Sequence, residues 1–435
     1  MSTPSQAATP RPVAAIGPTA RKALIRLVPL LALGYLLAYL DRVNVGLAKL
    51  QMQSDLHLSD AAYGLGAGLF FVSYIALEVP SNQVVTRVGA RMWLARIMIT
   101  WGVLTAAMTF VTEEWHFHLI RFLIGAAEAG FFPGVLYYLT LWFPTALRGR
   151  ILGYFILGLP IASMIGNPFG GWIMSAFHHT AGLSGWQWLF IVEGVLPVAL
   201  GIVYLARLPD TPAAAPWLTD DERSDIASAL TRDAPAGGHG AASFVQALKS
   251  GRVWLLGFMC FASLMTTYCL SFWLPTFIAD AGVHDPRTVG LLAGVPHLFG
   301  ALALLANAWH SDRHRERRWH IAVPLLVCAA ALGSTTLATG HLTLVIITFT
   351  VANLALVAHY PVFWCLPGTF LSGPSAAAGF ALVSSIGNLG GLLATYAVGW
   401  LRDLTGTAAL SILTFAAVLV VSAVAAVRLP SSVNR

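Results

Sequence analysis

The chain has 435 residues, of which 57% are hydrophobic and only 10% charged, with a net charge of +6. A soluble domain carries about 25% charged residues, so this chain has too little charge for a water-facing surface, and the lipid bilayer must be a partner. Its basic residues fall in short clusters between apolar runs, which is loop charge on a membrane protein rather than a nucleic-acid-binding face.

The first residues, 1–21, are rich in Ala, Pro, Ser and Thr and read as a disordered cytoplasmic tail; no secretory signal precedes the first long span. A helix needs about 20 mostly apolar residues to cross the hydrocarbon. Twelve candidates follow, near 24–46, 60–80, 93–112, 117–141, 150–176, 186–206, 253–279, 288–309, 320–339, 342–365, 376–401 and 407–428. A polar stretch over 207–252 divides them six and six. The expected organisation is an N-terminal bundle (22–206), a cytoplasmic central loop (207–252), a C-terminal bundle (253–428) and a cytoplasmic tail (429–435). Arg21, Lys22, Arg26, Arg87, Arg91, Arg96, Arg148, Arg150, Arg313, Arg315, Arg317 and Arg318 gather on one side, against mainly Lys49, Arg287 and Arg402 on the other. The positive-inside rule then places both termini in the cytoplasm of a multi-pass inner (plasma) membrane protein.

Charges inside the first span pose the first functional question. YLLAYLDRVNVG (35–46) carries Asp41 and Arg42 after a long apolar run. They are either a polar helix end or a buried functional pair. Arg121 and Glu128 lie in the fourth span with Gly125, at i, i+4 and i+7, on one helix face. Ionisable groups at bilayer depth are costly, at ~2.5–3.5 kcal/mol each, and should be paired or face water. Depth along antiparallel spans matches Asp41 to Arg121 and Arg42 to Glu128. A buried carboxylate next to a movable cation can gain and lose a proton. Glu78 reads as a gate or loop contact and Glu193 as a structural pairing.

The second half has no Lys or Arg inside its spans. Its polar candidates are Tyr268, Trp273, His297, His359, Tyr360, Trp364 and Asn388, of which Asn388 is the best placed to hydrogen-bond a substrate. The cysteines Cys260, Cys269, Cys328 and Cys365 sit in apolar runs and read as buried thiols, with no metal site and no cofactor expected. No GxxxxGK[ST], HExxH or GxSxG occurs, which argues against an enzyme or an ATP-driven pump.

The halves echo each other. Ile165-Gly166-Asn167 matches Ile386-Gly387-Asn388, and Arg87 matches Arg313, at an offset of 313 − 87 = 226. A duplicated six-helix unit follows, an architecture common in transporters. Twelve spans, RVGAR (87–91) and SDRHRERR (311–318) resemble the major facilitator superfamily. YLDRVNVG, EVPSN (78–82), RFLIGAAEAGFFPG (121–134), WLPTF (273–277) and SSIGNLGG (384–391) are similar to its anion:cation symporter family. The resemblance implies an all-α membrane protein of two pseudo-symmetric six-helix bundles, and a carrier importing a small carboxylate such as tartrate, a sugar acid or an aromatic acid by proton symport. An exchanger or efflux carrier is the alternative, and GNPFGG in span five disfavours drug export. In similar transporters the arginine at Arg42 meets the carboxylate, Glu128 exchanges protons, and Asp41 and Arg121 form a second coupled pair. Tyr39 and Tyr74 match pocket positions of the family; from the second half's own polar residues, Asn388, Trp273, His297 and His359 are the further candidate substrate contacts. Arg87, Arg91, Asp312 and Arg313 correspond to gating loops, although Thr86 stands where the family usually has an aspartate. The carrier is expected to work as a monomer.

Overall fold

The computed structural model of the chain describes residues 17–144, 147–148, 151, 158–232, 248–337, 340–366 and 374–430. Most of the expected disordered tail, Arg150, residues 233–247 of the central loop and residues 431–435 lie outside the described residues. All regular elements among those described are helices.

The chain runs through α1 (Pro18–Asp55), α2 (Asp60–Val88), α3 (Ala90–Ala107), α4 (Glu114–Glu128), α5 (Phe131–Trp142), α6 (Gly158–Ala176) and α7 (Gly185–Arg207). It continues with α8 (Asp220–Arg232), α9 (Gly251–Asp280), α10 (Pro286–His314), α11 (Arg318–Ser334), α12 (Leu342–Cys365), α13 (Pro374–Thr405) and α14 (Ala409–Val427). Eleven stretches among the described residues are long and apolar enough to cross a bilayer, α4 and α5 counting together as one. The helix α6 is the described part of the expected fifth span.

Three boundaries differ from the sequence reading. Pro18 occupies the first turn of α1, where its missing N–H costs nothing, so residues 18–21 are helix rather than tail. The same helix continues to Asp55, which rules out Asp41-Arg42 as a helix end. The central loop also contains a helix, α8, fastened to α1 by Lys22 Nζ on Glu222 Oε2 at 2.7 Å. Elsewhere local chemistry sets the ends. The Ser59 hydroxyl accepts from the Ala62 N–H, Asp285 accepts from the Thr288 N–H, and Ser184 with Gln187 forms a capping box.

Packing repeats between the halves. Exchanging each span for its counterpart six spans away turns the α1–α6 contact into α9–α13, α3–α7 into α11–α14, and α2–α4 into α10–α12. The two most extensive contacts that join the halves, α2 on α13 and α6 on α10, exchange with each other, and α1 also packs on α9. The architecture is therefore two pseudo-symmetric six-helix bundles. These joining contacts lie toward the face opposite the termini. There a Cβ on Gly64 would strike the Thr395 carbonyl oxygen, and one on Gly290 would strike that of Asn167. The halves touch backbone to backbone, and that face is closed.

Candidate functional site

Successive residues on a helix point about 100° apart, and α1 uses this to send Asp41 and Arg42 to different neighbours. Arg42 faces the space between the halves and Glu128. Its Nε donates to Glu128 Oε1 at 2.9 Å, and Nη2 contacts the same oxygen. Glu128 is fully buried and is the last residue of α4. Just beyond it Gly130 takes φ +90°, a left-handed turn that breaks the span, and a Cβ there would collide with Ser81. The break fixes where Glu128 presents its carboxylate. Its Oε2 has no hydrogen-bond partner among the described residues.

Aromatic rings hold the two arginines. The Arg42 guanidinium lies 4.7 Å from the Tyr74 ring centre and 5.1 Å from that of Phe70. Arg121, fully buried on α4, lies 5.0 Å from the same Phe70 ring. Phe70 thus separates two cations, with a favourable contact to each of ~0.5–2 kcal/mol. Gly125 admits this arrangement, since a side chain there would strike Phe70 and Ser73 of α2. From the other half, Tyr268 of α9 approaches the Arg42 guanidinium and packs its ring 4.6 Å from Phe71.

Asp41 points the other way, into the N-terminal bundle. Its Oδ1 accepts from the Thr105 hydroxyl of α3 at 2.6 Å. The expected Asp41–Arg121 ion pair does not form: Arg121 faces Asp41 at longer range, with its Nε and Nη2 free of hydrogen bonds. The α3 hydroxyl takes the place that depth matching gave to the arginine. One turn along α1, the Asn44 amide donates to buried Glu193 of α7, which supplies the pairing expected for Glu193. Glu78, one turn beyond Tyr74 on α2, is partly buried and makes no ion pair among the described residues.

The remaining candidates divide. Tyr39 packs with Val43 and Ala162 near Arg42 and beside Ser271. Asn388 and His297 are buried in α13 and α10 respectively, and among the described residues neither hydrogen-bonds to Arg42. His359 is spent within the second half, bonded to Ser263 at 2.9 Å, while the adjacent Tyr360 hydroxyl meets that of Thr267 at 2.5 Å.

Trp273 is not at Arg42. It covers Lys49, whose ammonium lies 4.1 Å from its ring centre and 5.0 Å from that of Tyr63. Lys49 is buried and pairs with Asp60 at 2.6 Å. Arg402 of α13 bridges Asp60 at 2.8 Å and Asp280 of α9 at 2.7 Å. Asp403 accepts from the Asp60 and Ala61 N–H groups at 3.1 and 2.8 Å. This ionic clasp ties the halves together on the closed face. On the termini face, Arg87, Asp312 and Arg313 are exposed, and none pairs with the opposite half among the described residues. The Arg91 N–H is used locally, donating to Asp210 at 2.9 Å. Among the described residues the ion-pair clasp that joins the halves therefore lies on one face only.

Sequence reading missed Phe70, Thr105 and the clasp around Lys49, and it listed Tyr268 as a polar candidate without placing it at Arg42. Phe70 and Tyr74 do share a face of α2 at i and i+4, and that spacing was the available signal.

Residues 31–395 match the family described as Major Facilitator Superfamily. The chain is 49% identical to "Putative metabolite transport protein NicT" of Pseudomonas putida, covering 94% of each chain. It is 41% identical to a "Putative tartrate transporter" of Agrobacterium vitis, covering 93% of each. It is 40% identical to the "Quinolone resistance transporter" of Acinetobacter baumannii, covering 89% of each. Among solved structures, a bacterial homolog of the human lysosomal transporter Spinster, inward-facing and occupied, superposes with a TM-score of 0.73 at 17% identity, covering 94% of this chain and 96% of that one.

Proposed function

The chain belongs to the Major Facilitator Superfamily and is a membrane transporter, and from that premise we propose that it imports a small carboxylate by proton symport through alternating access. The observation that carries this reading is the buried Arg42–Glu128 contact. A guanidinium is shaped to take a carboxylate in bidentate fashion, and here a protein carboxylate occupies it. Protonating Glu128 removes the competitor and frees Arg42 for a substrate carboxylate of the same charge and geometry. Substrate and proton are then each a condition for the other. The relatives named for tartrate and metabolite transport fit an organic-anion substrate.

In this scheme Tyr39, Tyr74 and Tyr268 line the grip, and Asp41 with Arg121 forms a second charge set that responds to the same protonation. The termini lie in the cytoplasm, on the arginine-rich face, so the clasped face points outward. The unit of transport is the monomer. The test is uptake into proteoliposomes against an imposed pH gradient. Accumulation of a carboxylate that follows the gradient supports symport; uptake that ignores the gradient but requires internal anion makes the carrier an exchanger. An efflux role is the second reading, favoured by the likeness to the quinolone resistance transporter. Export of a cationic or zwitterionic drug by inverted vesicles, without carboxylate uptake, would establish it.

A further inference from the structure

A groove of ≈ 870 Å³ opens between α1 and α7 near the termini face. It is sorted along the membrane normal. Leu30 of α1 and Ile202 of α7 line its deeper part, and Arg26 and Arg207, about one turn nearer the termini face on each helix, stand at its mouth. Ile25 and Ile202 are more than half exposed, so the wall faces lipid rather than protein.

The two arginines have no carboxylate partner among the described residues, and no acidic residue lines the groove. Two nearby acids are engaged elsewhere: Glu222 holds Lys22 at 2.7 Å, and Asp210 caps the start of α3. Arg26 is held in place by Trp217, whose ring centre lies 4.9 Å from the guanidinium carbon. Trp217 in turn stacks on buried Trp142 at 5.5 Å and 16°. A fixed guanidinium loses less freedom on binding an anion than a mobile one. Arg207 lies in the last turn of α7, where the helix dipole favours a cation. The dipole accounts for a cation on α7, but it does not account for a second cation on α1 facing the same groove.

We propose that this groove binds one anionic phospholipid of the leaflet on the termini side. The phosphate lies between Arg26 and Arg207, in charge-assisted hydrogen bonds, and the acyl chains run along Leu30 and Ile202. A basic pocket between transmembrane helices, polar at the headgroup level and apolar below it, has the chemistry of a lipid site. A bound lipid would also bridge α1 to α7 beneath α8, fixing the base of the N-terminal bundle.

The test is native mass spectrometry of the full-length protein titrated with phosphatidylglycerol or phosphatidylcholine of identical acyl chains. The expected result is one phosphatidylglycerol retained at least tenfold more strongly than phosphatidylcholine, with that preference lost in Arg26→Gln/Arg207→Gln. If the double variant does not fold, Arg26→Gln and Arg207→Gln singly should each weaken the preference, and thermal shift in phosphatidylglycerol nanodiscs should follow. Equal retention of the two lipids by the wild type, or an undiminished preference in the variants, overturns the proposal. So does displacement of the lipid by millimolar inorganic phosphate, which would make the site one for a free anion.

Discussion

Gly64 and Gly290 stand 290 − 64 = 226 positions apart, the same offset that relates Arg87 to Arg313, and each lies against a backbone carbonyl of the opposite half. The internal repeat has thus placed a glycine twice at the seam between the bundles. The seal needs both, because helices can meet at backbone distance only where a side chain is absent.

Gly64→Leu should prop the closed face open. Overpacking costs ~1–3 kcal/mol, enough to shift a two-state balance by about fivefold to a hundredfold. Cysteines introduced near the clasp should become reactive to impermeant thiol reagents, and concentrative uptake should fall. Gly290→Leu should do the same at the symmetry-related contact. Labelling unchanged from wild type would show that the seal tolerates the bulk.

Glu128→Gln should abolish proton-driven accumulation while leaving substrate binding or exchange measurable. Glutamine keeps the size of the side chain and cannot carry the charge that competes for Arg42. Counterflow and pH-jump uptake measured on one reconstituted preparation separate the two activities. Full gradient-driven accumulation by this variant would refute the proton role.

Arg42→Lys should weaken substrate binding about ten- to a hundredfold, the loss of ~1.5–3 kcal/mol in charge-assisted hydrogen bonds. An ammonium reproduces the charge but not the fork, nor the stacking on Tyr74. Isothermal titration with the substrate found by uptake screening reads this directly; an affinity equal to wild type would remove Arg42 from the grip.

Arg402→Gln should loosen the clasp, since Asp60 keeps Lys49 while Asp280 loses its partner. The outward-open population should rise, visible as a wider distance between spin labels on α2 and α13 across the closed face. Narrow, wild-type distances would mean that the glycine contacts alone hold that face shut.

Much of this was legible in the sequence because charge inside an apolar run has few innocent explanations. Asp41, Arg42, Arg121 and Glu128 stood out for that reason, and the contact between Arg42 and Glu128 followed from depth along two spans. The Asp41 partner was misread because threonine is unremarkable in an apolar helix, and only the approach of α3 reveals Thr105 as the donor. Phe70 was invisible for a similar reason: a phenylalanine in a membrane span looks like lipid contact until two arginines are seen on its ring. Lys49, Asp60, Asp280 and Arg402 lie at span ends, where charges are ordinary. Their convergence depends on packing of α1 and α2 against α9 and α13, which spans more than two hundred residues of sequence. Trp273 was assigned to the wrong place by the same blindness.

The clasp divides along the seam in a way that bears on electrical behaviour. Lys49 and Asp60 both belong to the N-terminal bundle, and Arg402 and Asp280 both belong to the C-terminal one. Parting the bundles breaks Arg402 from Asp60 yet leaves each side with a neutral pair of its own. Moving one elementary charge through the membrane field costs ~2.3 kcal/mol per 100 mV, and these four residues contribute almost none of that in the proposed rocking motion. Asp403 leaves with the C-terminal bundle as an unbalanced charge, so voltage dependence of the cycle reports it together with the charge of the cargo and its protons.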